Sequence, residues 1–312
     1  QMCIRDSIIN MPRLDFESLL DKGILGLNEH LVKVQKETSD EKNAKELYAA
    51  MHMALELVRD VCLWYAEMAD VLATRVMSER SKLNCATIAE SLNHIAYFAP
   101  ETFHQSLQLF WIYALLSGSH DYGRFDVWAT TLFKAEKNRG MLDDSRASEM
   151  IDSLLRLVRD REYDDSAQSC QIIVGGIGRP FEEFSDRLAL LLINAFRRST
   201  PTQTKLVVRH FKNQQPMVLG AAKEALEETT RIYIRDDEKV LSAIARDFAM
   251  PIDETADYAD FSLHHRAVSQ TSFWAPYGEI HVSYIINEFV SAVSTKFKLV
   301  LAGSVERFDC RW

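Results

Sequence analysis

The stretch Cys170-Gln-Ile-Ile-Val-Gly-Gly-Ile-Gly-Arg-Pro180 decides the fold. It opens on a short β-branched run and ends in glycines and a proline, so a strand is followed at once by a turn. Helical periodicity then occupies 182–196, and Leu206-Val-Val-Arg-His210 is a second short apolar run. A helix over 217–230, a strand over 231–235 and a helix over 238–248 continue the alternation. Strand, helix and strand, with a helix-length crossover each time, predict a parallel sheet with its helices outside. The glycine-rich turn does not suit a dinucleotide. The third glycine of that spacing is missing and Pro180 occupies the turn. Glu182 and Glu183 fall on the helix N-terminus, where carboxylates satisfy the dipole and repel a pyrophosphate.

Upstream the period is helical. Leu19, Leu20, Ile24, Leu27 and Leu31 recur at helix-like spacings behind Asp15 and Ser18, two residues suited to a helix start. A second long helix is predicted over 40–76, which contains no Pro or Gly. Its Tyr48, Met51, Leu55, Val58, Cys62 and Tyr65 make one apolar stripe, expected to pack in the core. Ala99-Pro100 marks a boundary, because the residue before a proline avoids the helical basin. Thr102 is placed to cap the next helix, which carries Phe103, Leu107, Phe110, Trp111 and Leu115 and ends near Gly118. In Tyr122-Gly-Arg-Phe-Asp-Val-Trp128, an extended backbone points Arg124 and Asp126 the same way, so that they can pair. A buried ion pair bracing the sheet and a substrate-facing Arg124 are both open readings. Ala147, Met150, Ile151, Leu154, Leu155 and Val158 line one face of a further helix within 129–165.

With 312 residues, 47% of them hydrophobic, the chain can bury a core as one large domain or two. A net charge of −9 and a pI near 5.5 argue against a nucleic-acid or anionic-membrane surface. No apolar run approaches the roughly 20 residues that span a bilayer, and no signal peptide is recognised. Cys3, Cys62, Cys85, Cys170 and Cys310 are dispersed without pairing or metal spacing, which points to reduced thiols and a cytoplasmic location. The chain begins at Gln1 and stops at Trp312, and it is expected to be part of a longer gene product.

Beyond the last predicted helix comes Asp257-Tyr-Ala-Asp-Phe-Ser-Leu-His-His-Arg-Ala-Val-Ser-Gln-Thr-Ser-Phe-Trp-Ala-Pro-Tyr-Gly278. Its Tyr258, Phe261, Ser272, Phe273, Pro276 and Gly278 fall, without a gap, on a segment of the glycyl radical enzymes, the pyruvate formate-lyase-like family, which this chain resembles. Pro100-x-Thr-Phe-x-x-Ser-Leu-Gln-Leu-Phe-Trp111 is similar to a second family motif at fixed spacing. Tyr122 to Trp128, Ile173-Val-Gly-Gly-x-Gly-Arg-Pro180, Pro201-x-Gln203, Leu206-x-Val-Arg209 and Asp236-Asp237 resemble further elements, so the resemblance runs from 10 to about 288. It implies an α/β fold: an N-terminal helical region followed by a partial parallel barrel, half of the family's ten-stranded one. The expected organisation is a leader without native structure over 1–9, a mainly helical region over 10–165 and the βα-repeat part of the barrel over 166–312, truncated at its C-terminus.

The resemblance also implies a mechanism and shows what is missing from it. In the family a radical S-adenosylmethionine activase installs a glycyl radical near the C-terminus, and a barrel cysteine becomes a thiyl radical beside an acid or base. A thiol serves because its S–H bond is close in strength to the glycine and substrate C–H bonds. Leu263 stands at the cysteine position, His265 at that of the partner glutamate, and Met11 at that of a histidine that often faces substrate. No intact catalytic set is therefore expected, and no cofactor in this chain. Cys170 is a poor substitute, since a strand start lies at the barrel's opposite end.

The remaining pocket candidates are Met11, Arg124, Arg209, Ser262 and His264. Adjacent residues of an extended loop point opposite ways, so at most one of His264 and His265 faces a pocket. That histidine is either a general base or simply a packed side chain. No two histidines stand at helical i, i+4 spacing, so no metal site is expected. Arg124, Arg209 and one histidine near the barrel interior would suit a small ligand bearing a carboxylate or phosphate. Two functions follow. One is a piece of a radical lyase acting on a small polar substrate, incompetent as it stands. The other is a non-catalytic homologue serving as a binding or structural subunit, with homo-oligomer formation among its expected partnerships and neither nucleic acid nor membrane.

Overall fold

Asp15 accepts a hydrogen bond from the Ser18 backbone N–H at 2.9 Å, and the first helix, α1 (Phe16–Glu37), begins there. The structure, a computed structural model, describes residues 15–37, 42–118, 121–164, 171–199, 204–249, 251, 254–260 and 266–268. All of them belong to one unit, Met11–Phe273. After α1 come α2 (Lys42–Arg75), α3 (Glu79–Ile95) and α4 (Phe103–Leu116). Thr102 caps α4 as its sequence position predicts, its Oγ1 accepting from the Gln105 N–H at 3.1 Å.

The stripe predicted on α2 is corrected in part. Val58, Cys62 and Ala66, at i, i+4 spacing, are buried and Leu55 packs against them, whereas Met51 and Tyr65 are exposed. The 34 residues of α2 outrun the 17 of its partner α3, so only part of the stripe meets another helix. Cys62 is a packed thiol, pushed up to about 12 by burial, and therefore inert.

The sheet begins at β1 (Asp121–Arg124), inside the region expected to be mainly helical, and is followed by α5 (Phe125–Trp128), α6 (Thr130–Asn138) and α7 (Asp144–Asp164). Then come β2 (Gln171–Gly175), α8 (Glu182–Arg198), β3 (Lys205–His210), α9 (Pro216–Glu228), β4 (Ile232–Asp236) and α10 (Asp237–Phe248). The four strands are parallel in the order β1-β2-β3-β4. Because the order never reverses, right-handed crossovers put α8 and α9 on the same face, as in a barrel wall rather than a doubly wound sheet.

The strand alternation fits that arrangement. Ile172, Val174, Leu206, Val208 and Ile232 join the main core with Leu188, Leu192, Ile193 and Phe196 of α8 and Val218, Ala222 and Ala225 of α9. Ile173, Val207 and Tyr233 form a separate cluster, so the other face of the sheet is apolar at mid-strand as well. Phe110 and Trp128 stack at 4.4 Å between ring centroids, which ties α4 to α5 beside the end of β1. A 3-10 turn (Glu254–Asp257) then leads into β5 (Tyr258–Asp260), which pairs antiparallel with β6 (Arg266–Val268). Among the described residues, no helix is long and apolar enough to cross a membrane.

Candidate functional site

The polar side chains of this sheet gather at the carboxyl ends of its strands, the end that carries chemistry in parallel α/β proteins. Arg124 closes β1 in register with Ile173, and Arg209 lies on β3 in register with Gly175 and Arg235. Arg209 is two residues from Val207 and Arg124 is level with Ile173, so both sit on the face turned away from α8 and α9. Arg209 is fully buried and Arg124 nearly so.

A buried guanidinium is tolerable only when its charge and its N–H groups are met. Arg209 Nε donates to Asp237 Oδ1 at 2.7 Å and Nη2 to Asp237 Oδ2 at 3.1 Å, a forked ion pair. Its Nη1 donates to the Tyr258 carbonyl at 3.0 Å and Nη2 to the Ala256 carbonyl at 2.8 Å. The Tyr258 ring lies 3.9 Å from the guanidinium carbon, in cation–π contact. Asp237 also accepts from the Tyr258 hydroxyl at 2.9 Å and the Ile177 N–H at 2.7 Å. Arg124 reaches the same segment, donating from Nη1 to the Ala256 carbonyl at 3.0 Å and from Nη2 to the Ile177 carbonyl at 2.9 Å. Two arginines from different strands thus fasten the short segment that leads into β5.

Arg124 and Asp126 do not form the predicted pair. The chain leaves extended geometry at Phe125 and turns into α5, so the i, i+2 relation on which the pairing rested is lost. Asp126 instead accepts from the Gly175 N–H at 2.6 Å and lies 3.6 Å from Arg179 Nη1, which also bonds Asp186 at 2.6 Å. Burial pushes the Asp126 carboxyl above the usual carboxylate range, against the pull of Arg179, then Arg124 and the Gly175 N–H. A carboxyl whose folded pKa is raised contributes stability below its unfolded pKa and loses it as pH rises through the folded pKa. Asp126→Asn keeps an acceptor for Gly175 and removes the titration. The stability gap between wild type and Asp126→Asn should therefore shift in the variant's favour as urea denaturation is repeated from acid to neutral pH. A gap that stays constant over that range refutes the assignment.

Sequence reasoning placed Arg124 and Arg209 beside strands, and the structure brings them together on the Ala256 carbonyl. The hydrogen bonds described above run from these two arginines to the chain's own carbonyls and to Asp237. Met11 lies outside the described residues. So do Ser262, Leu263, His264 and His265, which fall in the connection between β5 and β6. Asp237, Arg179, Asp186 and Gln214 were missed as site residues. The Asp236-Asp237 doublet was the available signal. Asp236 caps α10 by accepting from the Lys239 N–H, which leaves Asp237 free to turn inward. Among the described residues, no three His, Cys, Asp or Glu side chains gather as a metal-binding group.

A singly wound parallel sheet with helices on one face and its buried polar clamp at the carboxyl strand ends is part of an α/β barrel. The chain belongs to the Pyruvate formate lyase-like family, whose profile matches residues 12–259, and with it to the glycyl radical enzyme superfamily. It is 24% identical over 221 residues to the (2S)-3-sulfopropanediol dehydratase of Klebsiella oxytoca, covering 64% of this chain and 27% of that protein. It is 26% identical over 150 residues to the trans-4-hydroxy-L-proline dehydratase of Clostridioides difficile, covering 44% of this chain and 19% of that one. Its fold matches the glycerol-bound B12-independent glycerol dehydratase of Clostridium butyricum with a TM-score of 0.67 at 18% identity, over 82% of this chain and 34% of that chain. The chain spans 27% and 19% of the length of these two curated relatives.

Proposed function

We propose that this chain is the N-terminal sector of a glycyl radical dehydratase-type barrel, that it receives a small hydroxylated ligand at the carboxyl ends of its strands, and that it does not itself carry out the hydrogen-atom transfer. The observation that carries this reading is Leu263 in a frame otherwise kept by Tyr258 and Phe261. Tyr258, just before these positions, is fully buried and fastened to Arg209 and Asp237. A leucine side chain offers only C–H bonds, and His265 replaces the carboxylate beside it. The residues at these positions therefore do not fit the thiyl chemistry that a glycyl radical would supply. The relatives' dehydratase names support a ligand with vicinal or ring hydroxyls, and the neutralised Arg209 removes the reason to require an anionic one.

The test combines binding with turnover. Glycerol, trans-4-hydroxy-L-proline and a sulfonated diol are titrated calorimetrically against the chain, and each is then incubated with chain and a radical S-adenosylmethionine activase. At least one ligand should bind, with no dehydration product. Leu263→Cys should bind equally and still give no product, since His265 still stands at the position of the partner carboxylate. Product from the wild-type chain overturns the incompetence, and binding of none of the three overturns the ligand class.

A further inference from the structure

Among the described residues, three atoms around the Arg179–Asp186 pair have no hydrogen-bond partner: Asp126 Oδ1, Arg179 Nη2 and Gln214 Oε1. The residues are 0%, 7% and 5% exposed, so bulk water does not serve them. Their sister atoms are bound into one cluster. Arg179 Nη1 donates to Asp186 Oδ1 at 2.6 Å and lies 3.6 Å from Asp126 Oδ2, while Gln214 Nε2 donates to the same Asp186 oxygen at 3.1 Å. These bonds fix which atom of each group is left over. Asp186 Oδ1 accepts from both Arg179 Nη1 and Gln214 Nε2, so the amide nitrogen of Gln214 faces it and Oε1 turns away; a flipped amide would set two oxygens against each other. The Gly175 N–H holds Asp126 Oδ2 in the same way and leaves Oδ1.

We propose that Asp126 Oδ1, Arg179 Nη2 and Gln214 Oε1 bind one internal water molecule. One donor and two acceptors are the complement of a water that accepts once and donates twice. A cation in the same place meets the Arg179 guanidinium, and an anion meets the Asp126 and Gln214 oxygens. Water alone also suits both protonation states of Asp126, since it accepts from a protonated Oδ1 as readily as it donates to an ionised one. The bound molecule joins α5, the turn after β2 and the loop between β3 and α9, and so completes the hydrogen bonding behind the arginine clamp.

A crystal structure of the chain at about 1.5 Å tests this directly. A single solvent peak within about 3.2 Å of all three atoms is expected. Arg179 Nη2 bonded directly to Gln214 Oε1 or Asp126 Oδ1 with no peak between them overturns the site, and so does a peak with an ion's anomalous signal. Oxygen-17 magnetic relaxation dispersion gives a second reading in solution. Gln214→Met should lose one long-lived internal water with its far-UV circular dichroism unchanged. A folded Gln214→Met with the wild-type number of such waters overturns the proposal. Should that variant fail to fold, the wild-type crystal structure decides alone.

Discussion

Arg209→Leu should cost about 3–5 kcal/mol of folding stability, because it strands one half of a fully buried ion pair. Asp237 then keeps the Ile177 N–H and the Tyr258 hydroxyl but loses both guanidinium bonds, and the carbonyls of Ala256 and Tyr258 lose donors from Arg209. Asp237→Leu should cost a similar amount from the other side. The double variant should cost clearly less than the two singles added, because removing both charges leaves neither unpaired. Urea denaturation of the four proteins gives that coupling energy, expected at about 1–3 kcal/mol. Amide hydrogen exchange should rise first in the segment that holds Ala256 and Tyr258. If Arg209→Leu unfolds at nearly the wild-type urea concentration, the clamp is decoration and the anchoring of that segment must lie elsewhere.

The parts of this structure that could be read from the sequence are those fixed by local pattern. β2, β3 and β4 were recognisable because Ile172-Ile-Val174, Leu206-Val-Val208 and Ile232 to Ile234 are compact apolar runs, the signature of strands covered on both faces. Thr102 and Asp15 were recognisable as helix starts because capping depends on neighbours only three residues away. The partners in the clamp were not legible. Arg209 meets Asp237 across 28 positions, Gly175 meets Asp126 across 49, and no periodicity links such residues. The Arg124–Asp126 pairing failed for a related reason: a two-residue rule assumes extended backbone on both sides, and β1 stops at Arg124. Arg124 and Arg209 fasten the chain's own backbone through carbonyls far away in sequence, a role that local pattern cannot reveal.

Gly175→Ala should be more damaging than an ordinary glycine replacement, and a second glycine in the same chain supplies the control. Gly175 has φ +82°, and a Cβ built on it comes 2.1 Å from the Arg209 carbonyl oxygen. That oxygen is backbone, so it cannot swing aside as a side-chain tip would. Relief requires β2 and β3 to part at the Gly175–Arg209 rung, which also drags Arg209 from Asp237. The left-handed backbone alone costs an alanine about 1–2 kcal/mol, and forced separation of packed elements adds about 1–3 kcal/mol. Gly140, after the end of α6, has φ +68° but nothing within 4 Å of its Cβ position, so Gly140→Ala should cost only the backbone part. Both variants, made singly and compared by urea denaturation, should therefore differ by more than about 1 kcal/mol, with Gly175→Ala the weaker. Loss of the Gly175 N–H bond to Asp126 should show in the same variant as faster exchange of that amide. Equal stability losses at the two positions mean that β2 and β3 are not as close at their carboxyl ends as the Gly175–Arg209 contact requires.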